Sequence, residues 1–213
     1  MALEKKVIYT TSNTYSTLNT YTDKTKNVWF VFHGMGYLSK FFIKYFLHLN
    51  PKENFIIAPQ AQSKYYQGSD FKHVGATWLT KENTLEETKN VLNYIDEVYK
   101  AEKPKQMPHF IVLGFSQGVS IATRWIASRK IECNHIVLHS GGIPKELKPE
   151  DFSFFKDSVK VTFLYGNKDQ YINKARKKEE LLKGKHLFGN HLNIHVFEGI
   201  HEVNTDFLTK ISN

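Results

Sequence analysis

Short unbroken apolar runs recur along the chain, separated by longer stretches in which apolar residues return at helical intervals. "NVWFVF" (Asn27–Phe32) is such a run, the pattern of a strand buried on both faces of a sheet. "NFIIAP", "HFIVL" (His109–Leu113), "NHIVLHSGG" and "VKVTFLYG" read as further strands of this kind, and "HLNIHVFEG" as the last strand. Between them, Leu38–Leu49 carries Phe, Ile and Leu at helical spacing and stops at Asn50-Pro51. Leu85, Val91, Leu92, Ile95 and Val98 predict a helix from about Lys81 to Lys100. Further helices are expected after Ser116, around Ala175–Leu182 and after His201. "KKVIYTTS" and "TYSTLNTY", rich in β-branched and aromatic residues, predict an N-terminal antiparallel hairpin around Asn13. Gln60–Leu79 reads as irregular. Buried strands alternating with helices argue an α/β fold, a mainly parallel sheet covered on both faces. No linker or repeat interrupts the pattern, so residues 1–213 are expected to form one domain.

Composition narrows the functional classes. Hydrophobic residues are 41% and charged residues 23% of the chain, a globular balance. No apolar run reaches the roughly 18–20 residues of a membrane helix, and the start, "MALEKKVIYTTSNTY", has no signal-peptide core. A single cysteine, Cys133, excludes an internal disulfide framework. These features predict a cytoplasmic protein without a membrane span. The net charge is +8, but lysines alternate with glutamates, as in "ARKKEELLKGK". That pattern reads as a solvated surface, with no zinc-finger or RNA-binding signature and no nucleic-acid partner expected.

The strand His109–Leu113 runs into "GFSQG" and then directly into a helical pattern. Gly114 and Gly118 flank Ser116 where any side chain would crowd a sharp reversal, the G-x-S-x-G pattern of a nucleophile elbow. A serine hydroxyl is a weak nucleophile and needs a histidine base held by a carboxylate. Asp169 follows "VKVTFLYG" and His201 follows "HLNIHVFEG", so both close strands on the edge where open α/β sheets bind ligands. Asp151 and Asp157 precede their strand, and Asp206 follows His201. His109 and His135 begin strands, and His139 precedes the acid. His191 and His195 lie on a predicted strand, about 13 Å apart by strand rise, which excludes a helix-borne metal pair. For the oxyanion, the N–H of Gln117 is one expected donor and that of Met35, in "HGMG" (His33–Gly36), the other. His33 is expected to shape that loop. Tyr37, Leu38, Trp78 and Leu79 are candidate substrate walls, with core packing an equal alternative for Trp78.

"HGMG", "APQAQ", "GFSQG", "HSGGIP", "YGNKDQYI" and "EGIH" stand in the order found in the phospholipase/carboxylesterase family, which includes acyl-protein thioesterases. The chain resembles that family from about Trp29 to its end. The resemblance implies an α/β-hydrolase fold without a large cap domain. It implies a cofactor-free serine esterase with Ser116, His201 and Asp169 as triad and Met35 and Gln117 as oxyanion donors. A small-molecule acyl ester or thioester is then the expected partner. Tyr37 stands where the family commonly has an acidic residue, and Val119 where it favours a second glycine. Other functions fit the same residues: a non-catalytic binding protein on this scaffold, or an acyltransferase or peptidase using the same serine.

Overall fold

The computed structural model describes residues 2–213. In chain order the elements are β1 (Tyr15–Leu18), β2 (Asn27–Phe32), α1 (Ser39–Phe42), β3 (Asn54–Pro59), β4 (Ser63–Gln67) and β5 (His73–Thr77). There follow α2 (Thr84–Glu102), β6 (His109–Phe115), α3 (Gln117–Arg129), β7 (His135–His139) and β8 (Lys160–Gly166). The chain finishes with α4 (Lys174–Phe188), β9 (Leu192–Phe197) and α5 (Thr205–Ser212). Seven strands form one sheet in the order β1-β3-β2-β6-β7-β8-β9. All neighbours are parallel except β1, which runs antiparallel to β3.

The apolar runs of β2, β3, β6, β7 and β8 are continuous because each of these inner strands feeds two cores. In β2, Val28, Phe30 and Phe32 point to one face and Trp29 and Val31 to the other. The first face is covered by α2, through Val91, Leu92, Ile95 and Val98, by α3, through Ala122, Trp125 and Ile126, and by Leu187 and Phe188 of α4. Trp125 is stacked on Phe30 at 4.8 Å, and its indole N–H donates to Asp96. The second face is covered by Phe42 of α1, by Ile43 and Phe46 of the following 3-10 turn, and by Phe207 and Leu208 of α5. This is the mainly parallel, doubly covered sheet that the pattern predicts, in the α/β-hydrolase arrangement that the resemblance implies, with the carboxyl ends of the parallel strands on one edge. No helix among the described residues is long and apolar enough to cross a membrane.

Three local expectations are corrected. The antiparallel edge strand exists, but its partner is β3, with Tyr15 opposite Pro59, and residues 5–12 form no strand. Val7, Ile8 and Tyr9 are exposed, so nothing buries a first hairpin strand. The segment read as irregular, Gln60–Leu79, contains the antiparallel hairpin β4–β5, with Tyr65 opposite Gly75. The helix expected over Leu38–Leu49 is only α1 and one 3-10 turn.

Candidate active site

β6 ends at Phe115 and α3 begins at Gln117, so Ser116 alone makes the turn. Its backbone sits at φ 53 and ψ −118, a conformation that costs a residue with a Cβ about 1–3 kcal/mol. A Cβ on Gly118 would lie 2.2 Å from the carbonyl oxygen of Phe32, and one on Gly114 would lie 2.5 Å from that of Gly118. Glycine is therefore required on both sides of the serine. A serine preceding a helix ordinarily turns its oxygen onto an N–H of the first turn. Ser116 does not, because its φ and ψ are not those of a capping residue. The Gln117 N–H is among those that a helix start leaves unpaired. Hydroxyl and N–H therefore stand together at the carboxyl edge of the sheet.

Asp169 lies in the turn after β8, its side chain fully buried. Oδ1 accepts from the N–H groups of Tyr171 (2.8 Å) and Ile172 (3.2 Å). Oδ2 faces Nδ1 of His201 at 2.8 Å. His201 follows β9, and its ring lies against Phe115, 5.1 Å between centroids, and edge to face with Tyr171 at 4.7 Å. The structure thus brings the predicted acid and histidine together and sets the ring beside the residue that precedes Ser116. The Ser116 hydroxyl itself makes no hydrogen bond to the His201 ring.

The Gly34–Gly36 turn lies against the serine: a Cβ on Gly34 would meet Ser116 Cβ at 3.0 Å. Met35, on this turn, has an exposed side chain. The β4–β5 hairpin holds the turn in place. Gly36 N–H donates to the carbonyl of Ala76 (2.8 Å), and the Gln67 amide donates to that of Gly36 (2.7 Å). His33, fully buried, donates from Nδ1 to the carbonyl of Gly34 and accepts at Nε2 from the N–H of Ala61. Burial pushes its pKa down to about 4, so it is a neutral strut.

The candidate walls separate. Trp78 is no wall: it is 1% exposed, packs against Phe32, and donates its indole N–H to the carbonyl of His33. A large amphipathic ring with its one donor satisfied in the core is unavailable to a ligand. Tyr37 is half-buried, its ring edge-on to Phe115 and its hydroxyl bonded to Tyr45. Leu38 and Leu79 are partly buried beside the first core. His191 sits in a turn before β9 rather than on it, its Nδ1 toward the Val159 carbonyl. No three His, Cys, Asp or Glu among the described residues are grouped to hold a metal ion.

Two supporting residues escape sequence reasoning. His139, at the end of β7, accepts the Ser116 N–H at its carbonyl (2.8 Å) and the Asn204 N–H at Nε2 (3.0 Å). One residue thereby ties the elbow to the loop that carries His201. The side chain of Gln117 binds the other way, to Thr77, the Trp78 N–H and the Leu79 carbonyl, at 2.7–3.1 Å. Only the polarity of a residue at a buried strand end signals the first, and nothing local signals the second. Gln117→Ala keeps its N–H but loses these bonds. At about 1 kcal/mol each, the variant should lose roughly 2–3 kcal/mol in urea unfolding. An unchanged midpoint would show that the hairpin does not depend on that amide.

The model of the phospholipase/carboxylesterase family matches residues 13–213. No curated protein sequence matches the chain. Among solved structures, a phospholipase/carboxylesterase from Dyadobacter fermentans is similar at 19% identity and a TM-score of 0.68, over 96% of this chain and 98% of that one. Acyl-protein thioesterase 2 of Zea mays is similar at 14% identity and TM-score 0.68, over 94% and 96%. A Bacillus cereus carboxylesterase gives 16% and 0.63, over 94% and 92%. At these identities the likeness is one of fold.

Proposed function

The chain belongs to the phospholipase/carboxylesterase family, an esterase-type group of α/β hydrolases, and from that premise we propose that it hydrolyses carboxylic esters or thioesters of short-to-medium acyl chains through an acyl-enzyme. The observation that carries this reading is the Asp169–His201 pair at 2.8 Å, with its ring packed beside the strained Ser116 turn. With Nδ1–H donated to Asp169, Nε2 of His201 is left as a lone pair for the serine proton. Ser116 Oγ attacks the acyl carbon, and His201 takes the proton. The tetrahedral oxyanion is met by the N–H groups of Met35 and Gln117. The bond to the leaving oxygen or sulfur then breaks as His201 returns the proton to it. Water repeats the sequence on the acyl-enzyme, releasing the carboxylic acid and free Ser116. We place this chemistry in one domain and in the cytoplasm, a setting that agrees with one buried thiol, Cys133.

The test is covalent. A fluorophosphonate should add one equivalent to the Gly114–Gly118 peptide, and Ser116→Ala should abolish labelling while the protein stays folded by circular dichroism. Stoichiometric labelling that survives the substitution would reject Ser116 as nucleophile.

A further inference from the structure

We propose that an open cleft beside the Ser116 turn, joined to His201 through Arg176 and Tyr171, binds an anionic group, a carboxylate or phosphate, carried on the leaving portion of the substrate, with Arg176 as its principal contact. This rests on the hydrolase reading above. The cleft has a volume of about 760 Å³ and is lined by Ser120, one turn along α3 from Ser116, by the loop after β7, and by the start of α4. Three contacts connect it to the reacting groups. Gly142 follows Gly141, whose Cβ position would lie 2.1 Å from the Ser116 carbonyl. A Cβ on Gly142 would lie 3.1 Å from an Arg176 guanidinium nitrogen. Arg176 Nη1 donates to the carbonyl of Tyr171, the residue whose ring meets that of His201.

The charges in the cleft are unequal in their freedom. Arg124 is engaged by Glu146 at 2.7 Å. Glu180, 4% exposed, accepts from the Ile143 N–H and from Lys183 at 2.8 Å each, so both its oxygens are occupied. Lys145 and Lys183 share Glu179. Arg176 has no carboxylate within 4.0 Å among the described residues, and it is exposed. A guanidinium outside ion-pair range of any carboxylate, on a wall where Glu180 Oε1 is already held by Lys183, presents a fork of donors matched to carboxylate or phosphate oxygens. The side of the substrate follows from the proton: His201 must reach the leaving oxygen, so the leaving portion lies toward His201 and Tyr171, the residue whose carbonyl holds Arg176.

The experiment compares kcat/KM for acetate esters of one phenol skeleton: 3-acetoxybenzoate, 3-acetoxyphenyl phosphate, neutral 3-acetoxybenzamide and cationic 3-acetoxyphenyl-trimethylammonium. At least one anionic ester should exceed the neutral one by about tenfold, as expected for one charge-assisted contact, with the cationic ester lowest. Which anion leads distinguishes carboxylate from phosphate. Arg176→Gln should bring the anionic-to-neutral ratio to near one, and Arg176→Glu should invert it. Lys105→Gln, the same charge change on the loop before β6, should leave the ratio at its wild-type value. A ratio near one in a wild-type enzyme that labels and turns over overturns the cleft alone, as does a ratio that Arg176→Gln leaves intact. An anion preference found only on the acyl side, with phenyl hydrogen succinate over phenyl valerate, overturns it too. No labelling and no turnover of any ester overturns both the cleft and the hydrolase reading.

Discussion

Asp169→Asn should lower kcat/KM by about four orders of magnitude while leaving the fold and the His201 position unchanged. The substitution is isosteric, so packing is not the cause. The orientation of the new amide is decided by the backbone: the oxygen now called Oδ1 accepts from the N–H groups of Tyr171 and Ile172. A flipped amide would set its NH₂ against both donors in a side chain with no access to water. The oxygen therefore stays there, and the NH₂ replaces Oδ2 opposite Nδ1 of His201. A donor in that place requires Nδ1 to accept, which puts the ring proton on Nε2. That nitrogen then has no lone pair for the Ser116 proton, and the imidazolium formed in the transition state loses its carboxylate. Steady-state kinetics with one soluble acetate ester, beside circular dichroism, reads the effect. A variant within tenfold of wild type would mean that another carboxylate orients His201.

The same residues show what was readable in the chain and what was not. The strands stand out because a parallel sheet covered on both faces makes every position apolar, as in β2, whose six residues are all buried. Ser116 and Asp169 stand out because each closes such a strand, and His201 because it follows the last strand, β9, at the sheet edge. β4 does not: all five residues of "SKYYQ" are exposed, so no alternation marks it. Its function in holding Gly36 depends on contacts far along the chain, from Gln67 to Gly36 and from Gln117 to Thr77. The N-terminal segment misleads in the opposite sense. Its β-branched residues have strand propensity, but the edge of β3 is taken by Tyr15–Leu18, and no other edge receives Val7–Tyr9. Propensity states what a segment tolerates; the free edge decides whether it is used. Trp78 is ambiguous for a related reason, since a ring beside a site and a ring beneath it have the same local sequence.

Acidification from pH 7.5 to 5 should destabilise the protein by several kcal/mol, through three buried imidazoles. Burial pushes His33 and His135 down to about 4 and His139 to about 3, from an ordinary value near 6.5. For each of them the unfolded chain binds a proton in this range and the folded one does not. The stabilisation of the neutral form is therefore complete above about pH 6.5 and is lost as pH falls toward 3–4. The geometry agrees with the direction. Nε2 of His33 accepts from Ala61 and that of His139 from Asn204, so a proton on either would face an N–H. His139 also meets the fields of His201, which disfavours its charge, and of Asp169, which favours it; His135 faces Lys160 and His109. At about 1.36 kcal/mol per unit, each group accounts for roughly 2 kcal/mol at pH 5, about 6 kcal/mol for the three. That approaches the whole stability of an ordinary domain, about 5–15 kcal/mol. Urea unfolding across this range should report an uptake of about three protons near pH 5, as a slope of about 4 kcal/mol per pH unit. Activity should be lost with the fold, because His33 holds the Gly34–Gly36 turn and His139 the Ser116 N–H. A slope below one proton would show that these imidazoles open to solvent without unfolding the chain.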